Sequence, residues 1–155
     1  MASIDTGAEH PILADDRASD WLGITVLDHG DGHATIAMTL RAEMMNGFGI
    51  AHGGMIFAFA DTAFALACNP ADGDGSTVTV AAGVDVNFLA PTRAGQRLTA
   101  VATRRSQNGR SGLYDVQIFA DPLSSAPAGN GVHPDRSVVA EFRGRSRTVP
   151  APSTR

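Results

Sequence analysis

Residues 53 to 69, Gly53-Gly-Met-Ile-Phe-Ala-Phe-Ala-Asp61-Thr-Ala-Phe-Ala-Leu-Ala-Cys68-Asn69, read as one long helix that is apolar on every side except at a single carboxylate. A helix that is apolar all round is a buried helix, so the remaining chain must wrap it. Burying a charge costs several kcal/mol unless something pairs with it or uses it. Asp61 therefore marks a candidate functional position.

A polar, glycine-rich loop, Asn46 to His52, precedes this helix directly. Gly53 and Gly54 fall where the helix begins, and the first amides of a helix have no intrahelical acceptor. Together with the helix dipole they favour negative or developing negative charge. Asp61 lies eight residues on, roughly 12 Å along the axis at about 1.5 Å per residue. One small reacting centre cannot touch both ends of that span within one chain. If both serve one reaction, the second group comes from another copy, related by a two-fold axis with antiparallel helices.

Period-two alternation predicts strands at 23 to 28, 33 to 40, 77 to 89, 97 to 106, 112 to 120 and 137 to 148. In the third, Val78, Val80, Ala82, Val84, Val86 and Phe88 fall on one face. Asp31-Gly32 is a hairpin signal between the first two. A short amphipathic helix is expected over Asp15 to Leu22, with Trp21 and Leu22 on its buried side and Gly23 as its stop. Residues 121 to 136, rich in Pro, Gly, Ser and Asn, read as a loop. One long apolar helix among alternating strands is an α+β pattern, an antiparallel sheet of five to six strands around one central helix.

At 155 residues the chain has room for one domain. It is placed at 13 to 149, with an unordered segment over 1 to 12 and a tail over 150 to 155. No basic-then-apolar leader and no run of roughly 20 apolar residues appears, and Cys68 is the only cysteine, so a soluble cytoplasmic protein is expected. The five histidines are scattered without ligand spacing, and no metal or cofactor is expected. The net charge of −4 divides unevenly: residues 1 to 92 carry two Arg against twelve acids, and residues 93 to 155 carry ten Arg against four. Arginine suits bidentate phosphate contacts. An acidic pI of about 5.6 and the lack of interleaved basic and aromatic residues argue against nucleic acid.

Asn46, His52-Gly53-Gly54 six residues on, and Asp61 nine after the histidine resemble the hotdog-fold acyl-coenzyme A thioesterases, most closely the phenylacetate-degradation (PaaI-type) branch. Val84-Asp-Val-Asn-Phe-Leu-Ala-Pro91 with Ala94-Gly95, Gly112 to Val116, and Val139 to Ser146 resemble that branch's strands. The resemblance implies a hotdog fold and an acyl-coenzyme A substrate, with phenylacetyl or a hydroxylated or otherwise ring-modified aryl-acetyl group as the acyl part. It implies a homodimer with shared active sites, assembled as a homotetramer. Asp61 would act as general base or nucleophile, and the Gly53 N–H would bind the thioester oxygen. Gly54 would sit against the substrate, Asn46 would position the thioester or the water, and His52 would organise its loop or take part in proton transfer. A left-handed loop position is the plainer reading of Asn46. Arg105, Arg110 and Ser111, near Arg104 and Asn108, flank a turn and are candidates for the nucleotide phosphates. Some relatives place a water-steering hydroxyl about where this chain has Gly83, with Thr79 as a substitute. A hotdog hydratase or dehydratase and a non-catalytic acyl-coenzyme A-binding domain are the alternative readings.

Overall fold

A computed structural model describes residues 9 to 124 and 131 to 153. Two helices and six strands follow in chain order: α1 (Arg17–Leu22), β1 (Thr25–Gly30), β2 (His33–Thr39), α2 (Gly53–Cys68), β3 (Thr77–Phe88), β4 (Arg97–Asn108), β5 (Ser111–Ala120) and β6 (Ser137–Pro150). The strands form one antiparallel sheet in the order β1-β2-β4-β5-β6-β3. α2 lies against it and buries Ile56, Phe59, Ala60, Ala63, Phe64, Leu66 and Ala67. The expected α+β hotdog architecture is thus present, with six strands. Among the described residues no helix is long and apolar enough to cross a membrane.

Close helix-to-sheet packing is set by Gly144 in β6. A Cβ there would come within 2.8 Å of the Phe64 ring, so only glycine lets the helix approach. Phe64 is also edge-on to Tyr114, with centroids 5.3 Å apart. The short helix is capped by the Asp16 carboxylate, which accepts from the Ser19 N–H at 2.9 Å, and stops at Gly23 with φ 73°. Ser19 then reaches Thr62 of α2 at 3.1 Å, tying the two helices.

Three expectations need correction. Trp21 is half exposed, with the Arg41 guanidinium over its ring, while Leu22 alone enters the core. The alternation in β3 is broken by a bulge between Ala81 and Gly83. The extra residue shifts the strand's phase: Val80 pairs with Arg147 on the outer face, whereas Val84 pairs with Gly144 on the helix side. Of the segment expected to be unordered, Pro11–Leu13 form a 3-10 turn and His10 is buried; residues 1 to 8 lie outside the described residues. So do residues 125 to 130 of the expected loop; residues 121 to 124 and 131 to 136 contain no helix or strand.

Candidate active site

The first turn of α2 separates its two glycines. His52 is the N-cap, and its Nδ1 accepts from the Gly54 N–H at 3.0 Å. An accepting Nδ1 leaves the ring proton on Nε2. The Gly54 amide is committed to this cap, whereas the Gly53 N–H meets no acceptor among the described residues. The space beside Gly53 is tight: a Cβ there would stand 3.0 Å from Cζ of Phe88 and would have to push the half-exposed ring aside. A free amide at the positive end of the helix is therefore roofed by an aromatic ring.

Asn46 organises the loop leading into that turn. Its Oδ1 accepts from the Phe48 N–H at 2.9 Å and lies 3.4 Å from the Ile50 N, and its own N–H donates to the Ile50 carbonyl at 2.8 Å. The left-handed position belongs to Gly49, φ 75°, and no described non-glycine residue has positive φ. Asn46 is a loop organiser through Oδ1, which leaves its amide NH2 without an acceptor among the described residues. The loop is backed by Thr92, whose carbonyl accepts from the Ala51 N–H at 2.8 Å. Asn46, Gly53, Ile56, Phe88, Leu89 and Thr92 help line a cleft of about 350 Å³.

Asp61 does not reach this cleft. It is half-buried in the middle of α2, makes no hydrogen bond or ion pair among the described residues, and burial pushes its carboxyl above the ordinary range. Burial likewise pushes the Cys68 thiol up to about 12, which rules it out as a thiolate nucleophile at neutral pH. One chain thus brings Asn46, His52, Gly53 and Gly54 together and leaves Asp61 apart.

The arginines are also sorted. Asp115 takes a two-pronged contact from Arg143, at 2.6 and 2.9 Å, and a 3.4 Å ion pair from Arg105. The Arg143 contact, above all, holds the Asp115 carboxyl below its usual range. Arg104 pairs with Asp31 at 2.8 Å. Arg110, in the two-residue turn where Gly109 supplies φ 58°, has no partner side chain among the described residues, and Ser111 lies 3.4 Å from Arg147. This hairpin stands at the Cys68 end of α2, because Ser111 pairs with Arg147 and the Cys68 thiol contacts Tyr114 and Ser146.

Of the two water-steering candidates, Gly83 offers no hydroxyl and faces away from α2. Gly83 lies directly opposite Arg145, whose Cζ would stand 3.1 Å from an added Cβ, on the face away from the helix. The Thr79 hydroxyl is bonded to Thr148 at 2.9 Å. Sequence reasoning missed Phe88 and Thr92 as cleft residues. Both sit at the exit of β3, and nothing in a strand pattern shows that this exit folds back over a helix start.

Residues 48 to 126 match the thioesterase superfamily model. The chain is 36% identical to the acyl-coenzyme A thioesterase PaaI of Escherichia coli K12 over 90% of its own length and 88% of that protein. The structure of the E. coli PaaI protein from the phenylacetic acid degradation operon superposes with a TM-score of 0.75 at 35% identity, covering 89% of this chain and 88% of that one. A mutant structure of the phenylacetic acid degradation protein PaaI from Thermus thermophilus gives 0.69 at 29% identity, over 84% of this chain and 96% of that one. A cleft at the start of a buried helix, a carboxylate further along it and these likenesses agree: the chain belongs to the thioesterase superfamily.

Proposed function

We propose that the chain hydrolyses an acyl-coenzyme A, with an aryl-acetyl group as the acyl part, to the free acid and coenzyme A. The observation that carries this reading is the pairing of an uncommitted Gly53 amide at the positive end of α2 with an unpartnered carboxylate on the same helix. The amide suits the oxygen of a thioester carbonyl, where charge grows as the carbon becomes tetrahedral; one such donor contributes about 2.7 to 4 kcal/mol. Asp61 takes a proton from water as the water attacks, or attacks the carbonyl itself and is then released by water. In either route the C–S bond breaks and the thiolate leaves as coenzyme A. Release of free thiol from a panel of acyl-coenzyme A thioesters tests the reading, and no release from any of them refutes it.

A second copy supports the same reading. The other edge of β3 has no strand partner in the sheet, and Phe57, Val80, Phe88 and Leu89 are 37 to 58% exposed. An open edge with apolar neighbours is a surface that natural proteins cover. A homodimer across it completes the site, and a homotetramer is the assembly we propose. The reduced Cys68 thiol fits a cytoplasmic setting.

His52 serves as organiser rather than as acid or base. His52→Ala should cost about 0.5 to 2 kcal/mol in stability, the usual loss of an N-cap. His52→Asn supplies another capping oxygen and should restore both stability and most of the turnover. Recovery of stability in chemical denaturation without recovery of turnover would assign His52 to the chemistry instead.

Arg110 is the arginine we propose for the nucleotide phosphates, with Arg105 contributing less because Asp115 already neutralises part of its charge. Arg110→Ala should raise KM several-fold with little change in kcat, since a contact far from the carbonyl is made equally in ground and transition states. A short thioester lacking the nucleotide should show no such change. Equal loss on both substrates would place Arg110 in the fold or at the reacting centre.

A further inference from the structure

We infer that His10 is an acid-sensitive latch: its buried, neutral ring pins residues 9 to 14 against β1 and the end of α2, and its protonation releases them. His10 is 5% exposed and stands by Asn69 at the Cys68 end of α2, away from the Gly53 cleft. Its ring meets the His29 ring of β1 edge-on, with centroids 4.9 Å apart. Its Nδ1 accepts from the Ile12 N–H at 3.3 Å, capping the Pro11–Leu13 turn, and its carbonyl accepts from the Leu13 N–H at 3.0 Å. An accepting Nδ1 leaves the ring proton on Nε2, which is buried with no hydrogen-bond partner among the described residues. Leu13 packs against the core from the same turn. Its carbonyl accepts from the Asp16 N–H at 3.2 Å, so the latched segment runs directly into the cap of α1.

Protonation works against each of these contacts. A second ring proton would sit on Nδ1 and face the Ile12 N–H, setting donor against donor. The charged ring would be poorly solvated, and no carboxylate among the described residues offsets it. β1 presents His29, itself able to become positive, and the end of α2 presents the Asn69 carbonyl and the neutral Cys68 thiol. Asp28 is paired with His33 at 3.3 Å and Asp31 with Arg104 at 2.8 Å, while Glu9, on the segment itself, is exposed. Burial, and after it the His29 ring, hold the His10 ring below the ordinary histidine range, against a smaller opposing pull from the Asn69 carbonyl. The released segment therefore takes up a proton more readily than the docked one. Docking is complete above the ordinary value of about 6.5 and weakens as pH falls through it toward the lowered value.

Amide hydrogen exchange at residues 12 to 14, corrected for the pH dependence of the intrinsic rate, reads the opening directly. Between about pH 7.5 and about pH 5.5 the opening constant of the parent should rise roughly 3- to 10-fold, about tenfold being the limit for one ordinary histidine that stays neutral when docked. It should exceed the opening constant of the β4 amides at both pH values, because the segment leaves without the sheet. His10→Gln keeps an uncharged acceptor for the Ile12 N–H and should show no rise over that range. In the parent, the imidazole nitrogen shifts should report the Nε2–H tautomer at the higher pH and a titration midpoint below the ordinary histidine value. That readout stands even where His10→Gln fails to dock. A parent with no rise, a His10→Gln variant that keeps the rise, opening constants equal to those of β4, or a His10 ring titrating at or above about 6.5 would each overturn the latch.

Discussion

Asp61→Asn should lower turnover by at least about 100-fold while leaving the fold intact, because a positioned acid-base group contributes typically 10²- to 10⁴-fold. The amide fills the same space and can accept neither a proton nor a covalent bond to the carbonyl carbon. The variant should also be more stable than the parent at neutral pH. The sign follows from burial, which raises the Asp61 pKa in the folded protein above its unfolded value. Below the ordinary carboxylate range the group is protonated in both states and contributes no penalty. As pH rises through the raised folded pKa, the folded state must carry a poorly solvated charge that the unfolded chain carries in water, and stability is lost. The melting temperatures of parent and variant should therefore diverge as pH rises from acid to neutral. For the same reason the acid limb of kcat/KM in the parent should lie above the ordinary carboxylate range. Near-normal hydrolysis by the variant would remove Asp61 from the chemistry, and a lower melting point at neutral pH would show a structural partner for its carboxylate.

Much of this fold was legible because its strongest signals are local. The apolar helix, the period-two strands and the Asp31-Gly32 turn each follow from a repeat or a dipeptide, and each appears close to its expected bounds. What sequence could not show is set by contacts between distant segments. A bulge at Ala81 to Gly83 put Val80 on the outer face; its sequence sign is Gly83, a lone glycine inside a strand pattern, which marks either a bulge or a close backbone approach and does not say which. Trp21 is half exposed, and what covers its ring is the guanidinium of Arg41, twenty residues away. The site divides along the same line. Asn46, His52, Gly53 and Asp61 stand out through spacing on one helix and its entry loop. Phe88 and Thr92 join them only once the β3 exit folds back over the helix start. Commitment of the Gly54 amide to His52 was equally invisible, since a histidine cap depends on ring orientation rather than on residue order.

A heterodimer of an Asp61→Asn chain and a Gly53→Val chain should recover about half the parental turnover per dimer, although each variant alone is nearly inactive. The expectation follows from the helix. Gly53 and Asp61 are roughly 12 Å apart along α2 at about 1.5 Å per residue, with Phe57 midway between them. A two-fold axis passing near Phe57 with the helices antiparallel brings Gly53 of one copy beside Asp61 of the other, and does so twice. Phe57, 37% exposed on an otherwise well-packed helix, then has an apolar partner at the axis. The Gly53→Val side chain disables its half because a Cβ at that position already crowds Phe88. In the mixed dimer both lesions fall in one composite site, and the other contains an unaltered Gly53 and an unaltered Asp61. If each site were instead built from one chain, both sites of the mixed dimer would carry a lesion and no turnover would return. Heterodimers isolated with two different affinity tags and assayed for thiol release separate the two cases. Inactive heterodimers of confirmed composition would place Asp61 and Gly53 in different roles and remove the shared site from this reading.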